Sequence, residues 1–220
     1  MSSLPKRVDR RRTRTRVALL TAGRALLARR DVDGLSVDEI VAAADVAKGS
    51  FYNHFADKDV YAREIGAAVR REAERSVVAA NRGITDPAAR IARALCMFVR
   101  YAIDHPDSAQ VLWRLNSGAT MADAPINRGL RTAVEQARGT RGFADLDVES
   151  GVLLTMGIVV ISMRHVLETR AVTPPALVAA RMAEALLRGL GLPKPRARAV
   201  AAKAAADLLT QPAQARTAPR

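Results

Sequence analysis

The spacing of hydrophobic positions is helical along almost the whole chain. Apolar residues recur at three- and four-residue intervals, and the alternation of apolar and polar residues that marks a strand never persists. In the first amphipathic segment, Val17, Leu20 and Leu27 fall on one helical stripe. Alanine, leucine, arginine and glutamate, which favour helices, dominate the composition. The pattern therefore predicts an all-α protein.

Helix-breaking residues divide this pattern into segments of helical length. They include the pairs Asp86-Pro87, His105-Pro106 and Pro174-Pro175. Segments before residue 70 are short and closely spaced, and those from about residue 87 onward are longer and more apolar. Helices of the later part are predicted over residues 59–80, 87–104, 107–117, 125–138, 147–170 and 174–190. We therefore expect a small N-terminal domain and a larger C-terminal one.

Residues 36–55 have the pattern of a helix-turn-helix. Ser36 followed by Glu39 forms a capping box that starts one helix. Asp45 stands where the chain must turn sharply, and aspartate tolerates left-handed backbone geometry better than most residues. A second short helix is predicted over residues 48–55, and Asp57 caps the next helix. Two short helices joined by a tight turn are typical of DNA-binding proteins.

The second helix of this motif is predicted to have one apolar and one polar face. Phe51 and Phe55 are four residues apart, so they share a face and can close a small core. The opposite face carries Lys48, Ser50, Tyr52 and Asn53, with His54 and Lys58 at its flanks. Such side chains contact phosphates and base edges, and Gly49 allows DNA to approach the helix N-terminus closely. The face predicts a recognition helix; the alternative is an ordinary surface helix.

The segment SVDEIVAAADVAKGSFYNHFADKD, residues 36–59, resembles the TetR (tetracycline-repressor-like) family of bacterial transcriptional regulators. The resemblance extends over about Thr13 to Val69. It implies a three-helix DNA-binding domain over residues 13–73, preceded by a basic arm over residues 1–12. The DNA-binding residues expected from the resemblance and from the polar face are Arg12, Arg14, Arg16, Ser36, Val37, Lys48, Gly49, Ser50, Tyr52, Asn53, His54 and Lys58.

Three positions depart from the pattern of that family. The family usually has glycine where this chain has Asp45, and serine or threonine where this chain has Ala47. Glycine also usually ends the first helix, where Asp31 stands here. Alanine at the start of a helix forgoes about 1 kcal/mol of capping energy. We expect these differences to weaken the motif without changing its fold.

The two most apolar predicted helices lie near the C-terminus and are apolar around much of their circumference. A helix of this kind is buried on more than one side, and a partner subunit is the economical way to achieve this. The alternative is a monomer that buries both helices in its own core. The resemblance implies a homodimer whose last two long helices pack against their mates. The predicted interface residues are Leu153, Ile158, Ile161, Leu177, Met182 and Leu186.

The resemblance also implies a small-molecule pocket in a ligand-binding and dimerisation domain over residues 74–192. Aromatic rings and methionines line adaptable apolar cavities, which favours an apolar or amphipathic ligand. The candidate lining residues are Met97, Phe98, Tyr101, Leu112, Trp113, Met121, Met156 and His165. The alternative for each of them is plain core packing.

Charge and cysteine content narrow the range of functions. The 220-residue chain has a formal net charge of +13, which favours a polyanionic partner, nucleic acid before an acidic membrane. A basic tail rich in alanine and proline, residues 193–220, is expected to contain one short helix around residues 198–209 and to be partly disordered. Cys96 is the only cysteine, so the chain can form neither an internal disulfide nor a cysteine-cluster zinc site. A reducing, cytoplasmic location fits this composition.

Two further classes of protein are disfavoured by the sequence. No apolar segment follows the basic N-terminus as in a signal peptide, and the longest apolar stretch, residues 151–163, is too short to span a bilayer. We therefore expect no membrane partner. No catalytic constellation or glycine-rich phosphate loop is visible, and we expect neither enzymatic activity nor a cofactor or metal.

Together with these features, the resemblance to the TetR family implies a homodimeric bacterial repressor that binds a palindromic double-stranded DNA operator and is released by a small-molecule ligand. Ligand binding would shift the helix that begins at Lys58 and move the two recognition helices out of register. The alternative is a sequence-tolerant DNA-binding protein, or an activator, without a small-molecule inducer. A non-specific nucleoid or membrane-surface protein would not need a structured polar recognition helix.

Overall fold

The computed structural model describes residues 7–115, 127–137, 146–168 and 173–210, with side chains from Arg10 onward. Ten α-helices and one short 3-10 turn make up most of these ranges, and no strand occurs in them. The predicted all-α class is therefore confirmed. The helices are α1 (Arg7–Leu27), α2 (Val37–Ala43), α3 (Lys48–Tyr52), α4 (Lys58–Ala80), α5 (Pro87–Asp104), α6 (Pro106–Arg114), α7 (Arg128–Ala137), α8 (Val148–Glu168), α9 (Pro175–Gly189) and α10 (Lys194–Leu209).

The chain divides into two compact units. Unit 1 comprises residues 1–70 and 107–116, and unit 2 comprises residues 71–106 and 117–220. The division falls inside α4, close to the predicted boundary at residue 73. It also assigns nearly all of α6 to unit 1, although the sequence places that helix well inside the predicted C-terminal domain.

The helix-turn-helix of unit 1 is built by local hydrogen bonds that the sequence specifies. The Ser36 hydroxyl accepts the Glu39 amide at 3.1 Å and the Glu39 carboxylate accepts the Ser36 amide at 2.9 Å, which confirms the capping box. At the other end of α2, Asp45 adopts φ 52°, and the Val46 amide donates to the Val41 carbonyl at 3.0 Å. This pattern is a Schellman motif with aspartate in the left-handed position where glycine is usual.

Contacts within unit 1 explain why α6 belongs to it. The Arg24 guanidinium on α1 donates to the buried Ser108 hydroxyl on α6 at 3.1 Å. Arg114, the last residue of α6, forms an ion pair of 3.1 Å with Asp31. These are contacts across more than eighty positions of sequence, so no local pattern predicts them.

Unit 2 is organised around α5, which packs against α7, α8, α9 and α10. Its buried side chains include Ile91, Leu95 and Val99. Helix α10 meets α5 and α9 through alanines, such as Ala197 and Ala201, which allow close approach of the helices.

Several predicted boundaries differ from the structure. Residues 7–12, expected to lie in the basic arm, form the start of α1, and residues 1–6 lie outside the described ranges. Residues 194–209 of the predicted tail form α10, which starts about four residues before the short helix predicted there and ends at the same residue, and residues 211–220 are outside the description. Arg93 on α5 stabilises α10 by an ion pair of 2.8 Å with Asp207. Helix α3 ends at Tyr52 rather than at Phe55.

Candidate nucleic-acid interface

Helix α3, the predicted recognition helix, packs against three buried aromatic rings. Phe51 and Phe55 are completely or almost completely buried, as predicted, and the ring of the buried Tyr61, in the first turn of α4, contacts both of them. The ring centroids of Phe51 and Phe55 lie 5.5 Å apart, and those of Phe55 and Tyr61 lie 4.8 Å apart in an edge-to-face arrangement. Aromatic pairs of this geometry add about 0.5–1.5 kcal/mol each beyond their burial. The cluster therefore fixes the back of α3.

Tyr61 is in turn fixed by α1. Its hydroxyl donates to the Leu19 carbonyl at 2.6 Å, and burial raises the pKa of the phenol far above its usual range. A Cβ atom on Gly23 would lie 2.0 Å from the Tyr61 hydroxyl oxygen, so only glycine fits on α1 at this point. Neither Tyr61 nor Gly23 was predicted from the sequence. Their signals were weak: a tyrosine one turn into a helix, and an isolated glycine inside an amphipathic segment.

The other side of α3 is open to solvent. Lys48, Gly49, Tyr52 and Asn53 are exposed, with Tyr52 at 56%, and Ser50 is half-buried. A Cβ added to Gly49 would meet no atom within 4 Å, so packing does not require glycine there. The division predicted from the sequence, with rings inward and polar groups outward, is thus the one that the structure has. Whether these polar groups contact DNA remains a proposal.

Lys48 forms an ion pair on this surface. Its ammonium lies 2.9 Å from a carboxylate oxygen of Asp38 on α2. The hydrogen bond to Asp38 and the attraction of its charge raise the pKa of Lys48 above its ordinary value. Asp38 was not among the predicted site residues, because an acidic residue is not expected to face a polyanion.

Lys58, predicted to hold a phosphate, has a structural role in unit 1. Its half-buried ammonium donates to the Leu35 carbonyl at 2.6 Å and to the Val32 carbonyl at 3.4 Å. These carbonyls belong to the 3-10 turn (residues 32–34) and the residue after it, immediately before α2. Lys58 therefore joins the start of α4 to the start of the helix-turn-helix. An ammonium has three donor hydrogens, so one is left over for a phosphate.

The predicted basic residues of α1 fall into two groups. Arg12 and Arg14 are exposed. Arg16 is half-buried: its guanidinium pairs with Glu64 and lies 5.3 Å from the centroid of the Phe55 ring. It therefore packs on the aromatic cluster as a cation–π partner.

His54 lies beside these arginines at the edge of α3. It is half-buried, and its pKa is lowered from the ordinary value, first by desolvation and then by the charges of Arg12 and Arg16. The imidazole is consequently neutral near pH 7. A neutral imidazole still carries one N–H that can donate to a phosphate oxygen.

Ser36 and Val37 stand where the predicted motif places them, at the start of α2. Ser36 is exposed and caps the helix, and Val37 is half-buried. Hydrogen bonds from the Ser36 amide and from the Arg30 guanidinium lower the pKa of Glu39 to about 2.

The predicted ligand-pocket residues do not fall in one unit. Leu112 and Trp113 lie on α6 in unit 1, the first buried and the second exposed. In unit 2, Tyr101 is buried and His165 is exposed. Met97, Phe98 and Met156 of unit 2 are half-buried, and Met121 lies outside the described residues.

The predicted dimer-interface residues divide by exposure. Leu153 and Ile161 on α8 and Leu177 on α9 are exposed, with Ile161 at 53%. Ile158 and Met182 are half-buried. Leu186 is completely buried within unit 2, so its prediction as an interface residue is wrong: it faces the core of its own subunit.

Helix α8 is long and apolar enough, by length and composition alone, to cross a membrane. The helix extends over 21 residues, close to the predicted range of 147–170, and the apolar stretch of residues 151–163 lies inside it. Within unit 2 it packs against α5, α7 and α9, and the core helix of a soluble protein meets the same criterion. Across the described ranges, no group of three His, Cys, Asp or Glu side chains is placed to hold a metal ion.

Residues 19–65 match the family model described as bacterial regulatory proteins, tetR family, which confirms the resemblance. The chain is 41% identical over 54 residues to the HTH-type transcriptional repressor DhaR of Mycobacterium sp. (strain GP1). That match covers 24% of this chain and only 27% of the length of that repressor.

The solved structures that are similar over most of the chain include CprB and RolR. The TetR family protein CprB from S. coelicolor A3(2) is 25% identical, with a TM-score of 0.64, over 89% of this chain and 98% of its own. RolR in complex with its ligand resorcinol is 23% identical, with a TM-score of 0.57, over 89% of this chain and 96% of its own. The second likeness concerns the fold alone.

Proposed function

We propose that this chain, whose N-terminal part belongs to the TetR family of bacterial regulatory proteins, is a homodimeric transcriptional repressor. It binds a palindromic double-stranded DNA operator in the cytoplasm and leaves it when a small molecule binds. The observation that carries the proposal is the two-sided helix α3. Phe51 on this helix and Phe55 just after it are buried in the core of unit 1, and the polar residues on the opposite side are exposed to solvent.

The chemistry of that exposed surface suits duplex DNA. Tyr52 and Lys48 can donate to phosphates or to guanine acceptors, and Asn53 can pair with adenine in the major groove. Arg12 and Arg14 add exposed positive charge to the same unit. Phosphate contacts set position and base contacts set sequence, so both kinds of group are needed.

A homodimer is favoured by the exposed apolar positions of α8. Leu153, Gly157 and Ile161 follow one another at intervals of four residues, and all three are exposed. A Cβ on Gly157 would meet nothing within 4 Å, so a partner helix could approach closely there. Such a stripe suits a twofold contact in which the same surface serves both subunits. Two recognition helices would then meet successive major grooves, about 34–36 Å apart.

The ligand is proposed to be apolar or amphipathic and to bind unit 2. Met97, Phe98 and Met156 are half-buried there, and methionine and phenylalanine line adaptable apolar cavities. The ligand can release DNA only if it binds the non-binding geometry of the dimer more tightly than the binding geometry. We propose that this preference is transmitted along α4, the helix within which the chain passes from unit 1 to unit 2.

Selection from a pool of randomised duplexes tests the proposal. The purified full-length protein is expected to enrich one sequence with twofold symmetry, and to bind it in a salt-dependent manner. A pool that yields no preferred sequence, together with equal affinity for all fragments, would contradict a specific regulator. An enriched sequence without twofold symmetry would contradict the homodimer.

A further inference from the structure

An acidic side chain occupies the surface that is proposed to face DNA. Asp38, the second residue of α2, holds the ammonium of Lys48, the first residue of α3, with distances of 2.9 Å and 3.0 Å to its two carboxylate oxygens. The side chains of Asp38 and Lys48 are 69% and 58% exposed. Lys48 and Tyr52 are four residues apart on α3, so they share the exposed face of that helix.

The small contribution of this ion pair to the stability of the fold does not explain its presence. Exposed ion pairs contribute about 0–1 kcal/mol because water screens them and two side chains are immobilised. Ser36 and Glu39 already cap α2, and Glu39 is itself paired with Arg30 at 2.8 Å. The acidic group at residue 38 is therefore not needed to start the helix.

A role in DNA binding explains why an acidic side chain occupies this surface. Attraction between lysine and phosphate is independent of sequence and supplies most of non-specific affinity. A carboxylate that holds Lys48 competes with every phosphate for the same ammonium and repels the phosphates themselves. Specificity is a difference between affinities, so a group that weakens binding to all sequences sharpens discrimination if the correct site compensates. A guanine presents two acceptors to one lysine, which can provide that compensation.

We propose that Asp38 is a specificity-determining residue, which positions Lys48 on the recognition surface and suppresses sequence-independent binding to DNA. This inference rests on the proposed function. Replacing Asp38 by asparagine keeps the side-chain shape and removes the charge. The Asp38→Asn protein is then expected to bind random duplex DNA roughly fivefold more tightly. The slope of its log affinity against log salt concentration is expected to steepen by up to about the value of one phosphate contact. Its affinity for the sequence that the wild type selects is expected to change less.

The experiment compares affinities of full-length variants for a random duplex over a series of salt concentrations. The variants are Asp38→Asn, Lys48→Gln, the double variant, and Asp33→Asn as the control. Asp33 is an exposed acid of unit 1 in the 3-10 turn, so its replacement removes the same charge. If Asp38 acts through Lys48, its replacement has a smaller effect when Lys48 is already glutamine.

Each result has a distinct meaning. Tighter random binding by Asp38→Asn, lost in the Lys48→Gln background and not reproduced by Asp33→Asn, supports the inference. Equal effects of Asp38→Asn and Asp33→Asn would overturn it, because Asp38 would then be only one charge among others. Equal tightening on random and selected duplexes would overturn it too. A wild-type protein that binds no duplex at low salt would instead contradict the proposed function itself.

Discussion

Individual side chains of unit 1 determine how α3 is held. Tyr61 on α4 contacts Phe51 on α3 and Phe55 just after it, and donates its hydroxyl hydrogen to α1, so it connects three helices. Gly23 makes room for it. Asp45 and Ala47, the two departures from the family pattern inside the motif, have the expected local consequences. Asp45 adopts a left-handed conformation, and Ala47 makes no side-chain cap at the start of α3.

Gly23→Ala tests how closely Tyr61 packs against α1. A methyl group would lie 2.0 Å from the Tyr61 hydroxyl oxygen and 2.5 Å from an Ile65 methyl, so the helices must separate. We expect a loss of about 1–3 kcal/mol in the free energy of unfolding, measured with denaturant. Tyr61→Phe should cost about 1 kcal/mol, the value of one hydrogen bond. Combining the two should cost less than their sum. Strict additivity would indicate that Gly23 and Tyr61 are not in contact.

Ala47→Ser tests the missing cap of α3. A serine hydroxyl can accept one of the free amides of the first turn, which should stabilise unit 1 by about 0.5–1 kcal/mol. Ala42→Ser is the matched control, because Ala42 is also exposed but lies inside α2, where serine is a poorer helix former than alanine. Thermal or denaturant unfolding should give opposite signs for the two changes. Equal signs would show that the helix start does not limit stability.

At the scale of elements, short helices are held by their neighbours rather than by their own hydrogen bonds. Helix α3 has five residues and α2 has seven, which is too short for either to be stable alone. The capping box, the Schellman turn and the ammonium of Lys58 fix the ends of these helices. The recognition surface is thus positioned by contacts at helix termini.

Replacing Lys58 and Lys48 separately distinguishes a lysine that stabilises the fold from a lysine that contacts DNA. Lys58→Met removes a half-buried ammonium from two carbonyls, and we expect unfolding to become easier by about 1.5–3 kcal/mol. Lys48→Met, at an exposed position, should change stability by no more than about 0.5 kcal/mol. Both should weaken DNA binding. If Lys58→Met weakened DNA binding at unchanged stability, Lys58 would be a phosphate contact alone, as the sequence predicted.

For the molecule as a whole, the exposed apolar stripe on α8 sets the oligomeric state in our proposal. Ile161→Glu places a charge in the centre of the proposed interface. We expect a monomer in sedimentation experiments and an operator affinity lower by roughly a hundredfold, since the two half-sites are no longer linked. Val78→Glu, at an exposed position of α4, is the control and should leave the dimer intact. A wild-type protein that sediments as a monomer would contradict the dimer directly.

Much of this architecture could be predicted because its signals are local. The capping box, the turn at Asp45 and the spacing of Phe51 and Phe55 specify the helix-turn-helix from residues that are neighbours in sequence. Helices α5, α8 and α9 begin and end within about two residues of their predicted limits. Proline pairs and periodic apolar residues mark those limits.

The remaining features depend on contacts between distant parts of the chain. Val17 was predicted to share one apolar stripe with Leu20 and Leu27, yet it is 57% exposed, whereas Leu27 is completely buried. Runs of consecutive leucines leave the phase of a helix ambiguous, and packing against α4 decides it. The assignment of α6 to unit 1 and the bonds of Lys58 and Arg16 are likewise tertiary. A basic residue near a recognition helix can support the fold or contact DNA, and composition does not distinguish these roles.

The most direct test of the account is the affinity of Tyr52→Ala for the duplex selected by the wild-type protein, measured together with its unfolding midpoint. Tyr52 is exposed on α3, next to the buried Phe51. We predict an affinity lower by about tenfold or more, with nearly unchanged stability, because one DNA contact is worth about 1–3 kcal/mol. Unchanged affinity, or an unfolded variant, would contradict the claim that this face of α3 is the DNA-reading surface.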